Sequence, residues 1–528
     1  MTKTQSSGWG SRVGLVLAMA GNAVGLGNFL RFPAQAIENG GGAFIIPYLV
    51  CFLLMGIPLL FVEWSMGRFG GRYGQHSTPF IFDAMGKAPY WKYFGVFGIF
   101  TNIAVAAFYC YLESWALSWS YYSVAGTFTG MSQAEVQSFF VNYIELGTSH
   151  PVIFWIICLF LNTWILSRGL SGGVEKVAKI GMPLLILFGI VLAITGISLQ
   201  ASPGGAINDG IVGLNYLWSP DFSSIWSFKV WVAAAGQIFF TLSLGMGSIH
   251  CYASYLKSKE DIALNAMSAG WMNEFVEVVL GSAIIIPISI GYLGIEAVTE
   301  MVSGGSGLGI GFAVLPKLFS DWGTFGIFAG VMWFGLLFFA GITSSLAMGT
   351  PVMGFLEDNF KIKQSTGAWI FGTIILLLGI PCVLSQDAFN EYDYWAGTIA
   401  LVIFAMVEIV LFAWVFGFKN DLEEWRKSDK ILPLFLFTKL PSWKEITTGA
   451  DIRVPGIFKF IIKYVSPIFL IVVFVGAIPS ILENATKATS VYGWTARFLL
   501  VGLFVLVAIL VYIAKKRQGS NPYSESND

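Results

Sequence analysis

Apolar residues in this chain do not alternate with polar ones in the short periods of a soluble helix or strand. They run on for twenty residues and more between brief polar stretches. A bilayer core about 30 Å thick is crossed by roughly 20 helical residues. On that ruler the pattern predicts spans over 12–37, 42–68, 90–124, 151–167, 174–198, 229–254, 262–292, 325–356, 367–383, 395–418, 457–482 and 491–514. The chain then reads as an all-α integral membrane protein of twelve helices, with a terminal segment 1–11, a central outer loop 199–228, a loop 419–456 and a tail 515–528. The outer loops 125–150, 199–228 and 293–324 are too long to be plain connectors and should hold short helices.

An even number of spans puts both termini on one side, and loop charge says which. Loops on the terminal side carry Arg68, Arg72, Lys87, Lys92, Arg168, Lys176, Lys179, Lys257, Lys259, Lys361, Lys363, a cluster from Lys419 to Lys459, and Lys515, Lys516 and Arg517. On the other side 125–150 and 199–228 carry none, 293–324 only Lys317 and 483–490 only Lys487. Cytoplasmic loops are the ones enriched in Lys and Arg, so both termini are expected in the cytoplasm of a multi-pass protein of the cell (inner) membrane. Segment 1–11 has no cleavable leader character, which makes the first span permanent.

Composition narrows the function. The 528 residues are 56% hydrophobic and 12% charged, with net charge −1. A soluble domain carries roughly 25% charge, and nucleic acid demands concentrated Lys and Arg, so neither a soluble enzyme nor a nucleic-acid partner fits. Zinc-type Cys/His spacing, a Walker loop and a nucleophile elbow are missing, and His76, His150 and His250 are the only histidines. Neither an enzyme nor an organic cofactor is therefore expected. The five cysteines, Cys51, Cys110, Cys158, Cys251 and Cys382, are scattered through apolar sequence and read as small hydrophobes.

Two spans are interrupted. The first contains Gly21-Asn22-Ala23-Val24-Gly25-Leu26-Gly27-Asn28, and the sixth contains Ser243-Leu244-Gly245-Met246-Gly247 after Thr241. Each run alone is as consistent with small-residue helix packing. Their placement favours another reading: if the first ten spans form two halves of five, 12–198 and 229–418, the breaks fall in corresponding helices of an inverted repeat. Paired interruptions of that kind point to a transporter binding site. Arg31, Asn22, Asn28, Glu63, Glu113, Asn273, Glu277 and Glu408 also lie within apolar sequence, where polar groups usually face a cavity or each other. For Glu63, Glu113 and Glu408 a structural role, capping broken backbone or hydrogen-bonded in place, is at least as good as a functional one. Asn28, Asn273 and Thr241 offer neutral oxygens beside broken backbone, a donor set for a hard cation.

The runs GNAVGLGNFLRFP, ENGGGAF, GQIFFTLSLGMG, NE followed by Glu277, AGITSS and DYWAGT occur in this order from one end of the chain to the other. Together they resemble the neurotransmitter:sodium symporters, especially bacterial amino-acid carriers such as the leucine transporter, over about residues 8–515. The resemblance implies a fold of two inverted five-helix repeats followed by two further helices, and two sodium ions. One ion would meet the Ala23 carbonyl, Asn28, Thr241 and Asn273; the other the carbonyls of Gly21, Val24 and Ala340 with Thr343 and Ser344. An amino-acid substrate would lie against Asn22, Ala23, Leu26, Gly27, Tyr109, Phe240, Thr241 and Ser344, its side chain among Val105, Ser243, Met246, Ser344 and Met348. Gly25 stands where monoamine carriers have Asp, which implies a substrate that brings its own carboxylate. Glu277 replaces the small hydroxyl residue of chloride-dependent relatives and implies chloride independence. Met246 and Met348 replace the leucine transporter's Phe and Ile, implying a broader apolar range.

Arg31 and Asp393 match the family's external ion pair, and Trp9, Ser254, Tyr255 and Asp358 its internal gate. The basic residue expected three positions before Trp9 is Ser6, leaving Lys3, Arg12 or the packing of Trp9 itself to secure the inner side. These features add up to an expected sodium-coupled symporter of neutral, hydrophobic L-amino acids working by alternating access. The alternative is a sensor or uncoupled channel on the same fold. Lipid and a small amino acid are the expected partners, and a homodimer is compatible with the sequence.

Overall fold

The computed structural model describes residues 9–86, 88–203, 205–303, 307–417 and 441–518. Lys3, Ser6, Lys87 and most of the loop expected over 419–456 lie outside these. Every regular element among the described residues is helical.

Helices occupy all twelve expected positions, but they are not equal. Among the described residues nine, from Gly42–Arg72 to Val491–Gln518, are long and apolar enough to cross a bilayer unaided. A tenth crossing is the pair Arg12–Ala23 and Leu26–Glu38, bent by 43°. His150–Leu166 and Phe228–Thr241, at the fourth and sixth positions, are shorter. The sixth resumes after its break as Ser248–Ser254. The long outer loops do contain helices, Gln133–Ile144, Gly210–Trp218, Ile295–Ser303 and Ile310–Ser320.

Burial sorts the spans into a centre and a rim. The third, Trp91–Val124, is 94% buried over its most apolar stretch, whereas Ile457–Thr486 and Val491–Gln518 are only 22% and 28% buried. The last two helices therefore present apolar side chains outward, to lipid, and the site must be built from the earlier ten. Several central helices also carry a wider π turn, including Phe52–Gly56 and Phe275–Gly281, and the second of these holds Glu277. Such turns recur where a helix must aim a side chain at a functional centre.

Both breaks are held by side chains that replace the lost helical partners. After Ala23 the backbone is extended at Val24 and Gly25, and the Gly25 N–H donates to Asn28 Oδ1 at 2.8 Å. In the sixth span Ser243, Gly245 and Gly247 take positive φ of 54°, 69° and 90°. The Gly245 N–H donates to Glu63 Oε1 at 2.7 Å, and the Met246 carbonyl accepts from Thr101 Oγ1 at 3.1 Å and Asn102 Nδ2 at 2.6 Å. Gly245 is needed for more than its φ: a Cβ there would lie 2.2 Å from the Leu401 carbonyl of the tenth span. Backbone left unpaired at this depth would cost several kcal/mol per group. The two breaks also touch, since Ser243 Oγ donates to the Asn22 carbonyl at 2.9 Å.

Candidate functional site

Where the first, sixth and seventh spans meet, polar side chains converge in an otherwise apolar interior. Asn28 Nδ2 donates to Thr241 Oγ1 at 3.1 Å and to the Asn273 amide at 2.8 Å, and all three residues are buried. One end of the Asn273 amide lies 3.2 Å from the Ala23 carbonyl oxygen and 3.3 Å from that of Thr241. With the amide oxygen at that end it accepts from Asn28 and faces the two carbonyls; with the amide turned over, its nitrogen donates to both carbonyls but meets the Asn28 nitrogen at 2.8 Å. A cluster of neutral oxygens of this kind fits a hard monovalent ion. The expected ligands Ala23, Asn28, Thr241 and Asn273 are thus all in one place.

The residues expected to hold a second ion lie on the first and eighth spans, which meet at Ser344. Ser344 Oγ donates to the Gly21 carbonyl at 3.2 Å and reaches that of Asn22 at 3.5 Å. Thr343 Oγ1 lies 3.2 Å from the Ala340 carbonyl, and Val24 is buried at the break with its N–H on the Ala20 carbonyl. Hydroxyls and carbonyls make up this set, again without a charged group.

Next to the break the Tyr109 hydroxyl accepts from the Leu26 N–H at 2.9 Å. Leu26, Gly27, Tyr109 and Phe240 form the floor of a cavity of about 200 Å³ whose walls include Leu30, Phe108 and Phe389. Val105, Ser243, Met246, Ser344 and Met348 do not line it; they are buried, and no charge stands among them. Arg31 and Asp393 also line this cavity, but the expected ion pair is not formed: the Arg31 guanidinium lies 4.5 Å over the Phe240 ring instead. Cation–π contact with the ring satisfies Arg31 here, while Arg497 pairs with Glu391 at 2.7 Å, two residues before Asp393.

Glu277 sits behind Thr241. Tyr48 donates to its Oε1 at 3.0 Å and Gln237 Nε2 at 2.9 Å, and Thr241 Oγ1 donates to Oε2. The carboxylate thus occupies the focus of three donors, one of which, Thr241, is among the residues expected at the first ion. Glu113 has a plainer setting, accepting from Asn162 Nδ2 and from Ser345 Oγ at 2.6 Å, and Glu63 caps the sixth-span break as described.

On the side of the N-terminal segment Trp9 Nε1 donates to the Tyr252 carbonyl at 3.2 Å and its ring meets Tyr252 edge-on at 5.0 Å. Glu175 accepts from the Gly10 N–H at 2.7 Å and from Ser11 Oγ at 2.9 Å. Asp358 makes no contact with the described residues of this segment. Its Oδ2 accepts the His76 N–H at 2.8 Å, while His76 Nδ1 lies 2.8 Å from Ser254 Oγ and the ring stacks on Tyr255 at 4.1 Å. At Asp358 a backbone N–H stands where the resemblance implies a cation, and Arg12 makes no contact there, while Lys3 lies outside the described residues. Burial pushes the His76 ring down to about 4.

Sequence reasoning missed His76, Tyr48, Gln237, Glu175, Thr101 and Asn102. For Thr101 a signal existed, because Thr101, Val105 and Tyr109 follow at four-residue spacing on one helix face. For His76, in a loop, no periodicity could have pointed to Asp358.

Comparison with known proteins agrees with this architecture. The chain is 28% identical to a sodium-dependent transporter of uncharacterised function from Methanocaldococcus jannaschii, over 96% of each chain. It is 26% identical to sodium-dependent nutrient amino acid transporter 1 of Drosophila grimshawi, over 80% of this chain and 72% of that one. The crystal structure of MhsT in complex with L-phenylalanine superposes with a TM-score of 0.71 at 26% identity, covering 89% of this chain and 99% of that one. The family model for the sodium:neurotransmitter symporters matches residues 6–138 and 144–448, and this multi-pass membrane protein, with its broken first and sixth helices, belongs to that family.

Proposed function

We propose that the protein is a chloride-independent, sodium-coupled symporter of neutral, hydrophobic L-amino acids, working by alternating access with both termini in the cytoplasm of the cell membrane. The observation that carries this reading is the meeting of Asn28, Thr241 and Asn273 with the carbonyls of Ala23 and Thr241 at the break. Two sodium ions are the cargo of the two oxygen-lined sites, the second at Gly21, Val24, Ala340, Thr343 and Ser344. Each charge moved through 100 mV is worth about 2.3 kcal/mol, so two ions with a zwitterion drive strong accumulation.

Charge and space support this substrate class. A Cβ on Gly25 would sit 2.8 Å from the Tyr109 hydroxyl and 3.0 Å from Ser344 Oγ, so no protein carboxylate fits there to meet a bare amine. The substrate's own carboxylate fills that role, against the Leu26 N–H and Tyr109, with its amino group toward Asn22, Ala23, Phe240 and Thr241. An ionised side chain among Val105, Ser243, Met246 and Met348 would be buried without a partner. L-Phenylalanine in the MhsT complex is a substrate-sized molecule of the matching kind. The three donors on Glu277 support a fixed anion in place of chloride.

Scintillation-proximity binding on the purified protein tests this. Labelled L-leucine and L-phenylalanine are expected to bind in Na⁺ but not K⁺, equally in chloride and gluconate, and not to Asn28→Ala. Absence of Na⁺-dependent binding across a panel of neutral amino acids would overturn the substrate class. Uptake into proteoliposomes separates a symporter from a sensor on the same fold.

A further inference from the structure

Away from both ion sites, three ionisable side chains are enclosed together between the second, sixth and tenth spans. Glu63 and Glu408 flank His250, whose Nδ1 lies 3.5 Å from Glu63 Oε2 and whose Nε2 lies 3.7 Å from Glu408 Oε2. All three side chains are fully enclosed. Glu63 Oε2, both ring nitrogens and both Glu408 oxygens have no hydrogen-bond partner. Around the ring stand Phe82, from the helix Thr78–Gly86, and Phe404, at 6.2 and 6.0 Å, which bring no charge. The titratable groups facing the ring are therefore Glu63 and Glu408.

The geometry asks for protons. A neutral imidazole has one N–H, so one of its nitrogens would meet a carboxylate lone pair to lone pair. Two carboxylates this close, with ligand atoms of all three residues within 4.8 Å, cannot both stay ionised beside a neutral ring in a dry interior. A metal ion is a poorer occupant, because the two ring nitrogens point to different carboxylates and one ion can take only one of them. Glu63 Oε1 is moreover already bound to the Gly245 N–H.

We propose that Glu63, His250 and Glu408 form a proton-binding site that holds a proton while the sixth span is bent as it is here and gives it up when the Ser248–Ser254 half moves. In the bent form the ring carries hydrogen on both nitrogens and faces a carboxylate on each side, at 3.5 and 3.7 Å. His250 rides on Ser248–Ser254, whereas Glu63 and Glu408 belong to the second and tenth spans, so motion of that half-helix takes the ring from the two carboxylates. An N–H bond then breaks, the electron pair stays on nitrogen, and the proton passes to water entering beside the half-helix. Glu63 joins this site to the substrate region, since its other oxygen fixes Gly245, one residue before Met246. The coupling to helix movement rests on the alternating-access reading above; the proton site does not.

The chain has three histidines, so ring-¹⁵N-labelled histidine gives three assignable pairs of ring-nitrogen signals in magnetic resonance spectra of the full-length protein in lipid nanodiscs. In NaCl at neutral pH the His250 ring is expected to carry hydrogen on both nitrogens, and the doubly protonated signal is expected to be lost in Glu408→Gln. Asp358→Ala, which loosens the inner side without touching the cluster, should reduce that signal while leaving the fold intact. A singly protonated His250 in the wild type, or a doubly protonated one indifferent to both substitutions, would overturn the proposal. Failure of Na⁺-dependent leucine binding with the His250 signal as expected would instead count against the transport reading alone.

Discussion

The two faces of the molecule are secured by different physics. On the outer face, in the orientation proposed above, Arg31 and Asp393 share the wall of a cavity of about 200 Å³ without pairing. On the inner face Trp9, Gly10, Ser11 and His76 are each tied across helices to Tyr252, Glu175 or Asp358. The outer face thus has its charges apart and a route down to Tyr109 and Phe240, and the inner face is latched. Such asymmetry is what a carrier needs to admit substrate from one side. Among the described residues the latch has no cross-gate salt bridge at Asp358: several hydrogen bonds, each worth about 0.5–1.5 kcal/mol net, act in parallel, without the desolvation cost of a buried ion pair.

Breaking the inner latch at its acceptor gives the largest expected effect. Asp358→Ala leaves the enclosed His76 N–H without a partner, which costs about 1–3 kcal/mol. Occupancy of inward-open forms should rise by roughly 5- to 150-fold. The readout is the alkylation rate of Cys251, which is fully buried beside Tyr252, with Cys51, Cys110, Cys158 and Cys382 replaced by Ala. An unchanged rate would mean that Asp358 does not hold the inner face.

A smaller effect is expected from the ring itself. His76→Ala removes the stack on Tyr255 and the contact with Ser254, about 1 kcal/mol, or roughly fivefold in the same rate. The wild type should also respond to acid. Burial lowers the His76 ring from 6.5 to about 4, so between those values the exposed ring binds more protons than the latched one. Closed-state stability is therefore intact above 6.5 and is lost as the pH falls toward 4. Cys251 alkylation, corrected for thiolate fraction, should increase on acidification in the wild type, and His76→Ala should flatten that dependence.

These two residues also show what could be read from the chain and what could not. The spans were legible because bilayer thickness imposes a run length, and the breaks because Gly-rich interruptions within such runs are conspicuous. Asn28, Thr241 and Asn273 were legible as uncharged polar groups beside broken backbone, and the family resemblance supplied the rest of the residues proposed for the ions. Contacts made by backbone were not legible. The Asp358 partner is a main-chain N–H in a loop 282 positions away, which no side-chain pattern encodes. Nor could the sequence show that Arg31 lies over Phe240 instead of meeting Asp393, because the choice depends on the form the molecule adopts.

Trp9→Phe should matter less than either. Phenylalanine keeps the edge-on packing against Tyr252 and loses one hydrogen bond to its carbonyl, about 0.5–1 kcal/mol. Alkylation of Cys251 is expected to rise about two- to fivefold. A change as large as that of Asp358→Ala would shift the weight of the latch from His76 to the N-terminal segment.

The smallest effect on the resting form is expected at Asp393, and its smallness is the sharpest test of the asymmetry. Because Asp393 makes no ion pair with Arg31 here, Asp393→Asn removes no contact that holds this form, and Cys251 alkylation in Na⁺ should stay within about twofold of wild type, as befits a change below ~0.5 kcal/mol. The same substitution should slow closure over a bound amino acid, where the cavity narrows and Arg31 must leave the Phe240 ring for another partner. Labelled L-leucine should then dissociate faster from the variant in Na⁺, while Na⁺ affinity without the amino acid is unchanged. If Asp393→Asn instead raised Cys251 alkylation as Asp358→Ala does, the two faces would be held by one shared network, and the contrast between a pair held apart and a latch held shut would fail.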